Sequence, residues 1–244
     1  MRVIYACDVG STRKSRRNGI LGTGFGWARI SPEEPGVVRV SQDIEQLVTE
    51  IGHDIQDGNS VALGFEAPLF IPVHICAENL STGRQGDKDR AFSAPVGLAV
   101  ATLAVHQAAW ILSELRPTCM GRCALTTDWK VWRPSSERQV LLCWEAFVSG
   151  TAHSDSHERD AATAANAFLV DEDRLDQANA VTAERPLSLI GAVALWSGWT
   201  YDLAILHRPT LVIKPIQSYQ GRLERDDRST CANAPGPLLP ALLT

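Results

Sequence analysis

Met1-Arg2-Val3-Ile4-Tyr5-Ala6-Cys7-Asp8-Val9-Gly10-Ser11-Thr12 opens with an apolar run that ends on a carboxylate and a glycine turn. Residues 2–8 read as a buried strand. A carboxylate just past such a strand loses hydration unless something compensates its charge. The arrangement recurs at Leu63-Gly64-Phe65-Glu66-Ala67-Pro68. A third acid enters an alanine-rich helical segment at His157-Glu158-Arg159-Asp160-Ala161-Ala162. Carboxylates that converge are what a hard divalent cation binds.

Outward from the first strand, a polar, basic turn leads to Gly19–Ile30, whose glycines and aromatics suggest a second strand packed closely on the first. Val37–Val40 makes a third, completing an antiparallel meander. The spacing Ile44, Leu47, Val48, Ile51, Ile55 predicts a helix, with Ser41 or Asp43 as cap and Gly58-Asn59 as stop. Val61–Phe65 reads as a central strand. Residues 78–94 are polar and without period, as in a functional loop or lid. Pro95–Leu115 is apolar nearly all round, a helix buried on a sheet and ended by Pro117. Arg138–Val148 is another strand. A helix from His157 to about Leu169, capped by Asp155 or Ser156, follows, then an apolar helix over Leu187–Trp199 and a short strand over Thr210–Lys214. The order β-β-β-α-β-α-β-α predicts an α/β fold: a mixed sheet, three antiparallel strands then parallel ones, with helices on both faces.

At 244 residues and 45% hydrophobic, the chain can bury a large core. The expected layout is one domain over residues 1–216, with additions after about 170, and a polar tail over 217–244. No uninterrupted apolar run approaches the ~18 residues of a membrane span. The N-terminus enters a strand without a signal-peptide pattern, so no membrane and a cytoplasmic location are expected. Only Cys119 and Cys123 lie close together among six cysteines, which favours buried thiols over a zinc site. The net charge of −5 argues against non-specific coating of nucleic acid but leaves local recognition open. Arg13, Lys14, Arg16 and Arg17 crowd the first turn, and Arg84, Lys88 and Arg90 a later loop; solvated loops are the plainer reading. Trp129-Lys130-Val131-Trp132-Arg133 interleaves aromatic and basic residues, as surfaces for single strands do and as core-and-rim segments also do. The 187–199 helix offers a face for a homodimer.

Asp8-Val9-Gly10, Gly26-Trp27, Glu66-Ala67-Pro68 and His157-Glu158-Arg159-Asp160-Ala161-Ala162-Thr163-Ala164-Ala165, in this order, resemble the ribonuclease-H-like superfamily. The likeness is greatest to a group of predicted RNase H-like nucleases and covers roughly residues 1–170. It implies a ribonuclease-H-like sheet and a metal-dependent phosphodiester hydrolase, a nuclease acting on nucleic acid with Mg²⁺ or Mn²⁺. Asp8, Glu66 and Asp160 would be the ligands, with Asp8 between two ions. Glu158 lies two positions from Asp160 on the same helix and points elsewhere. His157 is one turn from Asp160 and faces its way, placed to position water or protonate a leaving group.

Each residue also has a plainer reading. Asp8 could cap the glycine turn, Glu66 could pair with an arginine of the 84–90 loop, Asp160 could be a first-turn acid favoured by the helix dipole, and His157 a surface residue. Asp8-Val9-Gly10-Ser11-Thr12 also matches the phosphate-loop opening of actin-like and sugar-kinase ATPases. That alternative, an ATP-binding phosphotransferase, needs a second lobe with its own phosphate motif, and no second such turn occurs. A third reading is a non-catalytic ribonuclease-H-like binding module.

Overall fold

Strand β1 (Arg2–Asp8) shows how this chain separates its two cores. Its side chains alternate: Val3, Tyr5 and Cys7 enter one hydrophobic cluster, while Ile4 and Ala6 enter the other. Both faces of the strand are therefore covered, which explains its nearly continuous apolar sequence.

The structure is a computed structural model that describes residues 1–17, 20–87, 95–132 and 139–225. After β1 come β2 (Ser15–Arg17), β3 (Ile20–Gly22), β4 (Gly26–Ile30), β5 (Val38–Ser41), α1 (Ile44–Gln56), β6 (Ser60–Phe65) and β7 (Phe70–Pro72). Then follow α2 (Pro95–Cys119), β8 (Cys123–Thr126), β9 (Gln139–Ala146), α3 (His157–Asp171) and α4 (Leu175–Ala178). The described chain closes with β10 (Pro186–Ser188), α5 (Leu189–Trp196), β11 (Val212–Ile213) and β12 (Glu224–Arg225).

Eight strands form one mixed sheet in the order β11-β9-β6-β1-β4-β5-β12, with β8 also on β9. β1, β4 and β5 are antiparallel neighbours, whereas β6, β9 and β11 continue from β1 in parallel. The class is α/β, as the element order predicts.

Helices α1, α2 and α5 cover one face. Leu47, Ile51 and Ile55 of α1 are fully buried there with Ala108, Ile111, Leu112 and Leu115 of α2. Each fully buried Leu or Ile contributes about 1.5–3 kcal/mol. Asp43 caps α1, accepting from the backbone N–H groups of Glu45 and Gln46. On the other face α3 lies on the sheet through Ala161, Ala162, Ala164 and Ala165, against Ala6, Ala28 and Ala62. Small side chains on both sides let helix and sheet approach closely. The closest point is Gly26, where a Cβ would lie 2.6 Å from the carbonyl carbon of His157. Any larger residue there would push away the start of α3.

Some local expectations change. Gly19–Ile30 is not one strand: β3 pairs with β2 in a separate antiparallel ribbon, and only β4 joins the main sheet. Pro117 does not end α2, which continues to Cys119 because Leu115 and Cys119 are both fully buried and hold the last turn. Within Leu187–Trp199 the helix spans only Leu189–Trp196; Pro186–Ser188 extends instead to pair with β7, and Ser188 caps the helix. By length and composition alone Val96–Cys119 would suffice to cross a membrane, more than the interrupted run suggests, yet its C-terminal half packs into the core described above. In the expected tail, β12 pairs with β5 and the Thr163 hydroxyl accepts from the Tyr219 N–H at 2.9 Å. Residues 226–244 lie outside the described residues.

Candidate metal centre

The parallel pairing of β1 with β6 aligns Cys7 with Phe65, so Asp8 and Glu66 leave adjacent strands at the same level. The Glu66 N–H donates to the Cys7 carbonyl at 2.8 Å, which ties the two strand ends together. Asp160 arrives from the opposite side, in the first turn of α3. That helix starts where it does because Ser156 caps it, accepting from the Arg159 N–H, and because Gly26 admits it close to β4. Ligand oxygens of Asp8, Glu66 and Asp160 all lie within 4.8 Å of one another. The three acids singled out in the sequence are thus brought together.

Two histidines meet this cluster. His157 Nδ1 lies 2.5 Å from Asp8 Oδ2, and His153 Nδ1 lies 2.6 Å from Asp160 Oδ2. Asp160 is 1% exposed and also accepts from the Ser154 N–H at 2.7 Å through Oδ1. Both rings are considerably exposed, at 54% for His153 and 40% for His157. Burial pushes the Asp8 carboxyl above its ordinary range, with Asp160 adding to the rise and the His157 contact opposing it. The same contact raises His157, since Asp8 favours the charged imidazole. The pair therefore holds a proton strongly in the absence of another cation.

Glu158 faces away from the cluster, as helical direction requires. It is 4% exposed, accepting from Gln42 Nε2 at 2.9 Å and from the Ser156 hydroxyl at 3.0 Å. His153 is absent from the sequence-based set. Its signal was the His153-Ser154-Asp155-Ser156-His157 run, two histidines flanking a helix cap. A residue ahead of the helix has no fixed direction from periodicity, so the run alone does not aim it at Asp160.

The other flagged segments go elsewhere. Arg84 is buried, with its guanidinium on Asp87 and Glu145, so this loop cation is not a solvated one. Glu145 is 2% exposed. Lys88, Arg90 and Arg133 lie outside the described residues. Trp132 is buried with its indole N–H on Glu172, and the Trp129 indole N–H donates to Asp176. Both indoles line a cavity of about 280 Å³ with Arg2, at the start of β1, the end of the strand opposite Asp8. They serve as core and rim.

Three carboxylates offer hard oxygen donors, with both imidazoles hydrogen-bonded to carboxylate oxygens, and so suit a hard divalent cation better than zinc or copper. The cluster could bind a metal ion. Compared with known protein families, curated proteins and solved structures, the chain matches none.

Proposed function

We propose that this chain is a ribonuclease-H-like, divalent-metal-dependent hydrolase of phosphodiester bonds in nucleic acid. The observation that carries the reading is the convergence of Asp8, Glu66 and Asp160 at the ends of two adjacent parallel strands and one helix. The mixed sheet, antiparallel then parallel, supports it. Asp8, Glu66 and Asp160 would hold Mg²⁺ or Mn²⁺. When bound, such ions stabilise the attacking and leaving oxygens of an in-line displacement. The chain's own residues prepare that chemistry. The His153 contact and the Ser154 N–H fix the Asp160 carboxylate before any ion arrives. A neutral His157 that donates Nδ1–H to Asp8 leaves Nε2 as an acceptor, able to take a proton from water or return one to a leaving oxygen.

The test is a Mn²⁺-dependent cleavage panel over single-stranded, double-stranded, hybrid and branched substrates, with Asp8→Asn as control. Cleavage that survives Asp8→Asn would sink the site assignment. Calorimetric titration with Mn²⁺ separates the alternatives: metal binding without cleavage of any substrate would leave a non-catalytic module.

A further inference from the structure

The segment that leaves the acid cluster turns back as a separate two-stranded ribbon. Asp8 and Gly26 are cross-strand partners, so everything between them is an insertion at the site end of the sheet. Within it, among the described residues, β2 and β3 pair only with each other. Arg13, Lys14, Arg16 and Arg17 stand on its outgoing arm, and no acidic residue occurs between Asp8 and Glu33. Arg13 and Lys14 are exposed. Arg29, the remaining cation of that stretch, is on β4 and is engaged by Asp54 and Glu34. In a chain of net charge −5, this is a concentration of positive charge beside a cluster of three carboxylates.

The ribbon is also mounted on the site. The Gly24 N–H donates to the Ser11 carbonyl at 2.7 Å, closing the base of the insertion. A Cβ on Gly10 would collide with the Gly24 carbonyl, so only glycine allows the two arms to meet so closely. The Gln107 amide of α2 donates to the Gly10 carbonyl. Gln42 then joins ribbon and site: its Oε1 accepts from the Thr23 N–H at 3.1 Å while its Nε2 donates to Glu158 at 2.9 Å. Glu158 belongs to the first turn of α3, between His157 and Asp160. A solvated loop has no need of such a mount.

We propose that the β2–β3 ribbon is a docking arm for the sugar–phosphate backbone of a polymeric nucleic acid, held beyond the phosphodiester at the acid cluster. This rests on the phosphodiester-hydrolase reading above. Four cations within residues 13–17 can meet several phosphates at once. A small phosphodiester offers one, whereas a polynucleotide presents one per nucleotide. A two-stranded ribbon also fits the major groove of B-form DNA and not the deep, narrow one of A-form RNA.

The experiment is fluorescence anisotropy of labelled oligonucleotides against salt, with EDTA present so that cleavage cannot intervene. It compares the full chain with a variant combining Arg13→Ala, Lys14→Ala, Arg16→Ala and Arg17→Ala. Each phosphate contact contributes about 0.9 to the slope of log K against log salt on duplex DNA. The alanine variant is expected to lower that slope by about 2–4 and to weaken binding, and a variant with the three arginines changed to lysine is expected to keep both. Duplex DNA, single-stranded DNA and an RNA–DNA hybrid are compared to identify the polymer, and a lost slope on any of them supports the arm. An alanine variant with an unchanged thermal melt and an unchanged slope on all three would overturn it, as would an unaltered chain that binds none. Mn²⁺-dependent cleavage of the same oligonucleotides reads the underlying function separately. Cleavage with an unchanged slope removes the arm and keeps the hydrolase; a lost slope without cleavage does the reverse.

Discussion

Two neighbouring strand ends carry acids in different settings. Phe65 of β6 is the cross-strand partner of Glu145 on β9, so Glu66 and Glu145 lie one register step apart at one end of the sheet. Glu145 is closed off by Arg84, whose two terminal nitrogens each lie 2.7 Å from a different carboxylate oxygen, and by the Leu69 N–H at 2.9 Å. Asp54 is treated in the same way by Arg29, Tyr5 and Asn59. One strand over from Glu66, Asp8 at the end of β1 meets His157, and Asp160 on α3 meets His153. Arginine is a permanent cation with a planar fork that satisfies a carboxylate outright. Histidine, unlike arginine, has a neutral form that still donates a hydrogen bond, so it can orient an acid without consuming its charge. Carboxylates of the first kind hold the fold, and those of the second kind belong to a group that could bind a metal ion.

The comparison can be broken most forcefully at Arg84. Changing Arg84→Met strands Glu145 and Asp87 in the interior and is expected to cost about 3–5 kcal/mol, measured by urea denaturation. By contrast, Asp8→Asn is expected to leave the metal-free protein as stable or more so, because it removes the cost of burying a carboxylate and, secondarily, the repulsion with Asp160. The same change is expected to lower Mn²⁺-dependent cleavage by more than about 100-fold, beyond the usual loss from a partner one step removed from the metal. An Asp8→Asn protein destabilised as severely as Arg84→Met would erase the distinction between the two groups.

Smaller effects sharpen it. His153→Ala removes the ring that orients Asp160 and is expected to weaken Mn²⁺ binding by about 10-fold, read by calorimetry, with little change in melting temperature. The arginine-held group has its own pH signature. Burial by itself would raise Asp54, but the bonds from Arg29 and Tyr5 outweigh it and hold the carboxyl below its ordinary value of 3.8. A carboxyl lowered in the folded state contributes stability that is fully present above that value and is lost as pH falls below it. Acid titration of the urea midpoint is therefore expected to show a decline below about pH 4 that Asp54→Asn flattens.

Much of this arrangement was legible in local pattern. The runs ending at Asp8 and Glu66 are apolar and bounded by turn residues, so their strands and strand ends could be placed. Asp155 or Ser156, ahead of an alanine-rich segment, marks the start of α3, and helical direction separates Asp160 from Glu158. What stayed hidden depended on chain crossings. Arg84 sits in a stretch without period, and no spacing indicates that it reaches Glu145, 61 positions away. In sequence the ribbon looks like a turn plus a strand because its two three-residue strands are too short to show alternation.

By itself the sequence determined which acids stand at the ends of buried elements and that the fold is α/β, because alternation, helical period and caps act within a few residues. Tertiary structure alone decided the partners: histidine for Asp8 and Asp160, arginine for Glu145 and Asp54, and Gln42 between ribbon and helix. Those choices follow from strand order and from the close approach at Gly26, which bring together groups that no local rule relates.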